Sequence, residues 1–230
     1  MRELIRNNVE MVRERVARAA EKAGRKEEEI LLVAISKTQP LEKIYQAHEA
    51  GITNFGENKV QDLVLKISES KVVLNWHFVG HLQTNKVNKV VDGVKMIQSV
   101  DSGHLLEKLS SISKDKGITS KLLLQVNTSD EDSKFGFDPE KVSEACELVE
   151  QLSNIEIQGL MTIGPLTDDK NRIAQNFKSL RNLSEELDKF RSDKIKMTYL
   201  SMGMSGDFEL AILEGSNLVR IGTAIFGARN

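Results

Sequence analysis

Ile30 to Ile35 is an unbroken run of six apolar residues, too short for a helix. A strand without polar alternation is buried on both faces, the habit of a parallel sheet sandwiched by helices. This run therefore predicts helices before and after it. The residues before it agree: Ile5, Val9, Val12, Val16, Ala19 and Ala23 recur at the helical period, and Gly24 is a stop signal.

The same alternation continues along the chain. A helix from Pro40 to Gly51 leads to Thr53-Asn54-Phe55, and a second helical stretch after Asn58 leads to Trp76-His77-Phe78-Val79. A unit over Gln83–Val91 precedes Met96-Ile97, and a helix from Ser102 to Lys116 precedes Leu122–Val126. Asp138-Pro139 reads as an N-cap and first helical residue, followed by a strand over Ile155–Met161 and a long helix from Lys170 to Arg191. Tyr199-Leu200 and Leu218–Ile221 complete eight strand candidates. Alternating elements define an α/β class, and eight is the number that closes a TIM (β/α)8 barrel. The last strand has too few residues behind it for a full helix. The extra N-terminal helix has no strand before it and fits the vacant eighth place in the outer ring. An open doubly wound sheet is the alternative, because periodicity does not encode closure.

Composition narrows the class further. With 40% hydrophobic and 29% charged residues among 230, the chain is neither fibrous nor low-complexity. No Pro/Gly/Ser-rich linker divides it, so residues 1–230 read as one domain. Cys146 alone forms no internal disulfide, which favours a reducing compartment. Arg2, Glu3, Arg6 and Glu10 argue against a signal peptide, and no apolar run approaches the roughly 20 residues of a membrane span. A net charge of -2 gives no global attraction to nucleic acid or an anionic membrane. These features predict a soluble cytoplasmic protein, with a monomer as the default state.

On a TIM barrel the active face lies just past the C-terminal ends of the strands. That rule selects Ser36-Lys37-Thr38 after the first strand. An ammonium at an apolar barrel mouth is partly desolvated, which frees its amine to attack a carbonyl; a lysine reaching into solvent is the competing reading. It also selects Ser201-Met202-Gly203-Met204-Ser205-Gly206-Asp207 and Gly222–Gly227. Loops after strands seven and eight often build phosphate sites on this fold, glycines allowing backbone approach and hydroxyls adding donors. As plain turns, the same glycines need no ligand. Arg220 faces oppositely to Val219 and Ile221: pointing inward it is a buried cation needing a partner, pointing outward it pairs with a helix carboxylate. His77 and His81 lack the recurring spacing of a metal site. The acidic run Asp130-Glu131-Asp132 with Lys134 lies on the expected rim.

Several of these segments resemble one family. Ala34-Ile35-Ser36-Lys37-Thr38, Phe55-Gly56-Glu57-Asn58, Trp76 to Gln83, Ser201 to Ser205 and Val219 to Gly227 are similar to the pyridoxal phosphate homeostasis (YggS/PROSC) proteins. The resemblance implies a barrel like the N-terminal domain of alanine racemase. In it Lys37 matches the lysine that forms a Schiff base with pyridoxal 5'-phosphate. Ser205, Gly222 and Thr223 match the phosphate cradle, with Ser201, Gly203 and the Met204 backbone close by. Arg220 matches the arginine facing the pyridine nitrogen, which weakens the cofactor as an electron sink, and Asn58 is placed at the ring's other edge. Gln39 and Lys59 depart from residues common in the family. The implied function is a carrier in vitamin B6 homeostasis without strong catalysis, cofactor-dependent apo-enzymes being candidate recipients. A small racemase or lyase using the same cofactor is the alternative, and a Schiff-base aldolase a more distant one.

Overall fold

The computed structural model describes residues 2–129 and 135–228; the acidic run at Asp130–Lys134 lies outside the described residues. Eight parallel strands close a barrel in chain order. They are β1 (Leu31–Ile35), β2 (Asn54–Glu57), β3 (Asn75–Phe78), β4 (Met96–Val100), β5 (Ser120–Gln125), β6 (Ile155–Met161), β7 (Ile195–Ser201) and β8 (Leu218–Ile221). Closure is made by β1 against β8, with Val33 opposite Arg220 and Ala34 opposite Ile221. The open-sheet alternative is thereby excluded.

The helices are α1 (Arg2–Lys22), α2 (Leu41–Glu49), α3 (Val60–Glu69), α4 (Gly103–Asp115), α5 (Val142–Gln151), α6 (Lys170–Glu186), α7 (Phe208–Leu213) and α8 (Thr223–Phe226). Between β3 and β4 the chain makes a 3-10 helix, Thr84–Lys89, rather than an α-helix. This stretch offers only Val87 as a buried residue, too little apolar stripe to hold a full helix against the barrel. The expected helix to Arg191 is α only to Glu186 and continues as a 3-10 turn, Leu187–Phe190.

α1 fills the eighth position of the outer ring, packing against α2, α7 and α8. Its buried Ile5, Val9, Val12 and Val16 contribute about 1.5–3 kcal/mol each by leaving water. Polar contacts fix its register. Asn8 Nδ2 donates to the Ile225 carbonyl at 2.9 Å. Arg15 makes a two-pronged contact with Glu209 at 2.7 and 2.9 Å, and its guanidinium lies 4.6 Å from the Phe208 ring centre. Gly24 lies just past the helix end, and its φ of 69° lets the Arg25 amide reach back to the Ala20 carbonyl at 2.9 Å.

Two apolar layers result. The larger lies between strands and helices. The smaller, built on Val33, Met96, Leu123, Met161 and Leu218, fills part of the barrel interior. The rest of the interior is polar, including Asn54, His77, Gln98, Ser201 and Arg220. Among the described residues no helix is long and apolar enough to cross a membrane, and no group of His, Cys, Asp and Glu is placed to hold a metal.

Candidate functional site

Lys37 follows β1 in a tight turn, closed by the Gln39 amide donating to the Ser36 carbonyl at 2.9 Å. Within it Thr38 has φ 66°, a left-handed conformation costing a β-branched residue about 1–3 kcal/mol. What lies beneath holds the turn. The buried Ser36 hydroxyl donates to Glu57 Oε1 at 2.6 Å, and the Ser36 carbonyl accepts from Lys66 Nζ at 2.9 Å. Lys66 also donates to that same Glu57 oxygen at 2.5 Å. A buried ion pair between β2 and α3 therefore grips the residue directly before Lys37.

The loops after β7 and β8 meet at Ser205. Its Oγ accepts from the backbone amides of Gly222 at 3.2 Å and Ala224 at 3.3 Å. Two amide donors thus converge on one oxygen, the geometry that receives an oxyanion. Gly203 has φ 92°, and a Cβ there would lie 2.6 Å from the Ala211 Cβ and 2.9 Å from the Phe208 Cα. Only glycine lets the loop pass this close to α7. Asp207 accepts from the Met204 amide at 2.6 Å, folding the loop back on itself. Burial raises the Asp207 pKa, while the Met204 amide and the Arg220 cation oppose the rise.

Arg220 points inward, which decides between its two readings. It is 5% exposed. Nη1 donates to Ser201 Oγ at 2.5 Å and Nη2 to the Thr162 carbonyl at 2.7 Å. Burial lowers its pKa to about 10, and the Asp207 charge resists that, so the guanidinium stays charged near neutrality.

Lys37, Met204, Ser205, Arg220, Gly222 and Thr223 line one cleft of about 270 Å³ at the C-terminal mouth of the barrel. Ile35, Gln39, Gly206, Phe226 and Gly227 complete its wall. Ile35 shares a strand face with Val33, but an all-apolar run does not say which face is inside; Gly206, Phe226 and Gly227 lie inside segments the sequence singled out. Three expected residues do not line it. Ser201 is buried behind Arg220, and Gly203 is buried against α7. Asn58 lies in the loop after β2, where its backbone oxygen would be 2.1 Å from a Cβ on Gly80; only glycine at 80 lets the loops after β2 and β3 touch.

The histidines and cysteine divide by environment. His77 is buried inside the barrel, and desolvation, aided by the Lys95 charge, lowers its pKa to about 3. His81 lies on the rim, its Nδ1 2.8 Å from Asp101 Oδ2 and its ring stacked 4.1 Å from Phe135. Cys146 is buried on α5, and burial, helped by Glu147 and Glu150, pushes its thiol up to about 12.

This barrel and cleft define a known class. The family model for the alanine racemase N-terminal domain matches residues 5–230. Alanine racemase of Clostridium difficile 630 superposes with a TM-score of 0.74 at 16% identity, over 99% of this chain and 56% of that one, a likeness of fold alone. Within the class, the chain belongs to the pyridoxal phosphate homeostasis protein family. It is 40% identical over 219 residues to the Aquifex aeolicus pyridoxal phosphate homeostasis protein, covering 95% of each. It is 41% identical over 213 residues to the human protein of that name, covering 86% of this chain and 76% of that one. Synechococcus elongatus PipY with pyridoxal phosphate bound has a TM-score of 0.81 and 36% identity, over 92% of this chain and 100% of that one.

Proposed function

We propose that this one-domain barrel binds pyridoxal 5'-phosphate at its mouth and serves vitamin B6 homeostasis as a cytoplasmic, monomeric carrier without strong catalytic activity. The observation that carries the reading is the meeting of Lys37, Arg220, Ser205, Gly222 and Thr223 on one cleft. The residues fit the group. The Gly222 and Ala224 amides already converge on an oxygen, that of Ser205, and can hold a phosphate oxygen in the same way. Ser205 and Thr223 add hydroxyl donors, and Arg220 supplies a fixed cation for the ring. Names given to relatives, and the ligand in PipY, support the same cofactor.

When bound, pyridoxal phosphate supplies an aldehyde that condenses with a primary amine and releases water. Lys37 is the amine this cleft offers, held over the Ser36–Glu57–Lys66 cluster. Arg220 donates hydrogen bonds and a positive charge, disfavouring a proton on a ring nitrogen beside it. Apart from Lys37 and Arg220, the described lining residues include no titratable side chain. That favours holding and handing over the cofactor, with apo-enzymes as recipients, above racemisation, which needs a second proton carrier.

Absorbance of the purified protein tests this. The wild type is expected to take up pyridoxal phosphate with a visible band, and borohydride to fix the ligand on Lys37. Lys37→Ala loses both signals. A wild type that stays colourless with added cofactor overturns the binding reading. Rapid turnover of free amino acids that vanishes in Lys37→Ala overturns the carrier reading.

A further inference from the structure

Arg220 begins a chain of hydrogen bonds that crosses the barrel. A guanidinium only donates, so Ser201 Oγ must accept at the 2.5 Å contact. The single Ser201 hydrogen then goes to Gln98 Oε1 at 2.7 Å. With its oxygen so used, Gln98 turns Nε2 to His77 Nδ1 at 3.0 Å. An amide nitrogen donates, so Nδ1 must be bare and His77 carries its proton on Nε2. That proton faces Asn54 Oδ1 at 3.3 Å, and Asn54 Nδ2 donates on to Thr53 Oγ1 at 3.1 Å. Every donor points the same way, through side chains from β8, β7, β4, β3 and β2.

The chain is buried throughout: Ser201, Gln98 and His77 are fully enclosed, and Asn54 is 6% exposed. Apolar residues would fill this interior without desolvating polar groups. The polar path spans two openings. Arg220 lines the cleft at the C-terminal mouth, while Thr53 and Asn54 line a separate cleft of about 310 Å³ at the N-terminal end of the barrel.

We propose that Gln98, His77 and Asn54 are positioning residues that hold Arg220 in the orientation the bound cofactor's ring requires, acting through Ser201 as a one-way donor chain. The inference rests on the cofactor reading above and deepens it. With Nη1 fixed by Ser201 and Nη2 by the Thr162 carbonyl, the guanidinium does not turn in its plane without breaking a buried hydrogen bond. Its other N–H groups are thereby aimed before a ligand arrives. The charged groups acting on the two ends are Asp207 beside Arg220 and Lys95 beside His77.

The first measurement needs no cofactor. Two-bond 1H–15N correlation spectra of the wild type should show His77 protonated on Nε2, bare on Nδ1, and unchanged across the neutral pH range. A proton on Nδ1, or titration in that range, overturns the chain. The second uses Gln98→Leu and Gln98→Glu. Gln98→Leu leaves the Ser201 hydrogen without its acceptor. It should weaken pyridoxal phosphate binding about tenfold, the loss expected of one hydrogen bond to a charged group, and shift the pH dependence of the visible band. In Gln98→Glu the carboxylate still accepts from Ser201 but has no hydrogen to give His77, so His77 Nδ1 should gain a proton; an Nδ1 that stays bare in this variant overturns the chain. Wild-type affinity and an unchanged pH profile in Gln98→Leu overturn the positioning role. If Gln98→Leu does not fold, the Gln98→Glu tautomer and the wild-type spectrum decide. A wild type that binds no pyridoxal phosphate sinks the cofactor reading, and the chain then stands or falls on the His77 tautomer.

Discussion

Lys66 Nζ lies 2.5 Å from Glu57 Oε1, and both side chains are buried beneath the turn that carries Lys37. Glu57 Oε2 has no hydrogen-bond partner among the described residues, so Lys66 is the cation that compensates this carboxylate. Lys66→Met should cost about 3–5 kcal/mol, the penalty for leaving one member of a buried pair uncompensated. Adding Glu57→Gln should recover a large part of that loss. Urea unfolding midpoints of the two variants check both statements.

The proposed phosphate end of the cleft can be tested apart from its proposed ring end. Ser205→Ala with Thr223→Ala removes two hydroxyls from the cleft, at about 1.5–3 kcal/mol each if both bond a charged group. Spectroscopic titration should show the pair weakening pyridoxal phosphate strongly while leaving pyridoxal, which lacks the phosphate, nearly unchanged. Equal losses for both ligands would remove Ser205 and Thr223 from the phosphate cradle.

His77 makes stability depend on acid. Its folded pKa is about 3, below the roughly 6.5 of an unfolded histidine. Above that upper value neither state takes the proton and His77 adds no slope. Below it the unfolded chain gains a proton that the native protein refuses, so stability falls by about 1.4 kcal/mol per pH unit until the folded pKa is reached. His77→Gln lacks this term, so the stability gap between wild type and variant should narrow as pH drops from 6.5 toward 4.5. Denaturation curves at several pH values measure it.

Cys146 should be inert in the native state. With its thiol pushed up to about 12 by burial, almost no thiolate is present near pH 8. A thiol reagent is expected to label it only after urea unfolds the chain. Rapid labelling of the folded protein would contradict the packing of α5.

The sequence reveals the parts of this fold that are written locally. Ile30 to Ile35 announces a buried strand, and counting eight such elements points to a barrel. Closure itself depends on Val33 meeting Arg220 across β1 and β8, a pairing between distant residues that no local pattern encodes. β7 spans Ile195–Ser201, yet only Tyr199-Leu200 read as strand, because Lys196 and Thr198 break the apolar signal. Period-two alternation set the parity of Arg220 without saying which face is inside. Most of the cleft lining was legible from a positional rule, that barrel strands present sites at their C-terminal ends, which selects the segments holding Lys37, Ser205 and Thr223. Glu57–Lys66 and the Gln98–His77 link were not, since each needs side chains from different elements. Asn58 was expected at the site from resemblance, but it lies outside the cleft lining.

The seat that α1 occupies has a temporal consequence. Asn8 bonds a carbonyl 217 positions away, and Arg15 meets Glu209 at a separation of 194. During synthesis this helix leaves the ribosome long before these two partners exist. Of its neighbours only α2 follows closely, so the buried stripe of Val9, Val12 and Val16 is fully covered only when α7 and α8 arrive, an interval in which exposed apolar surface invites misassociation.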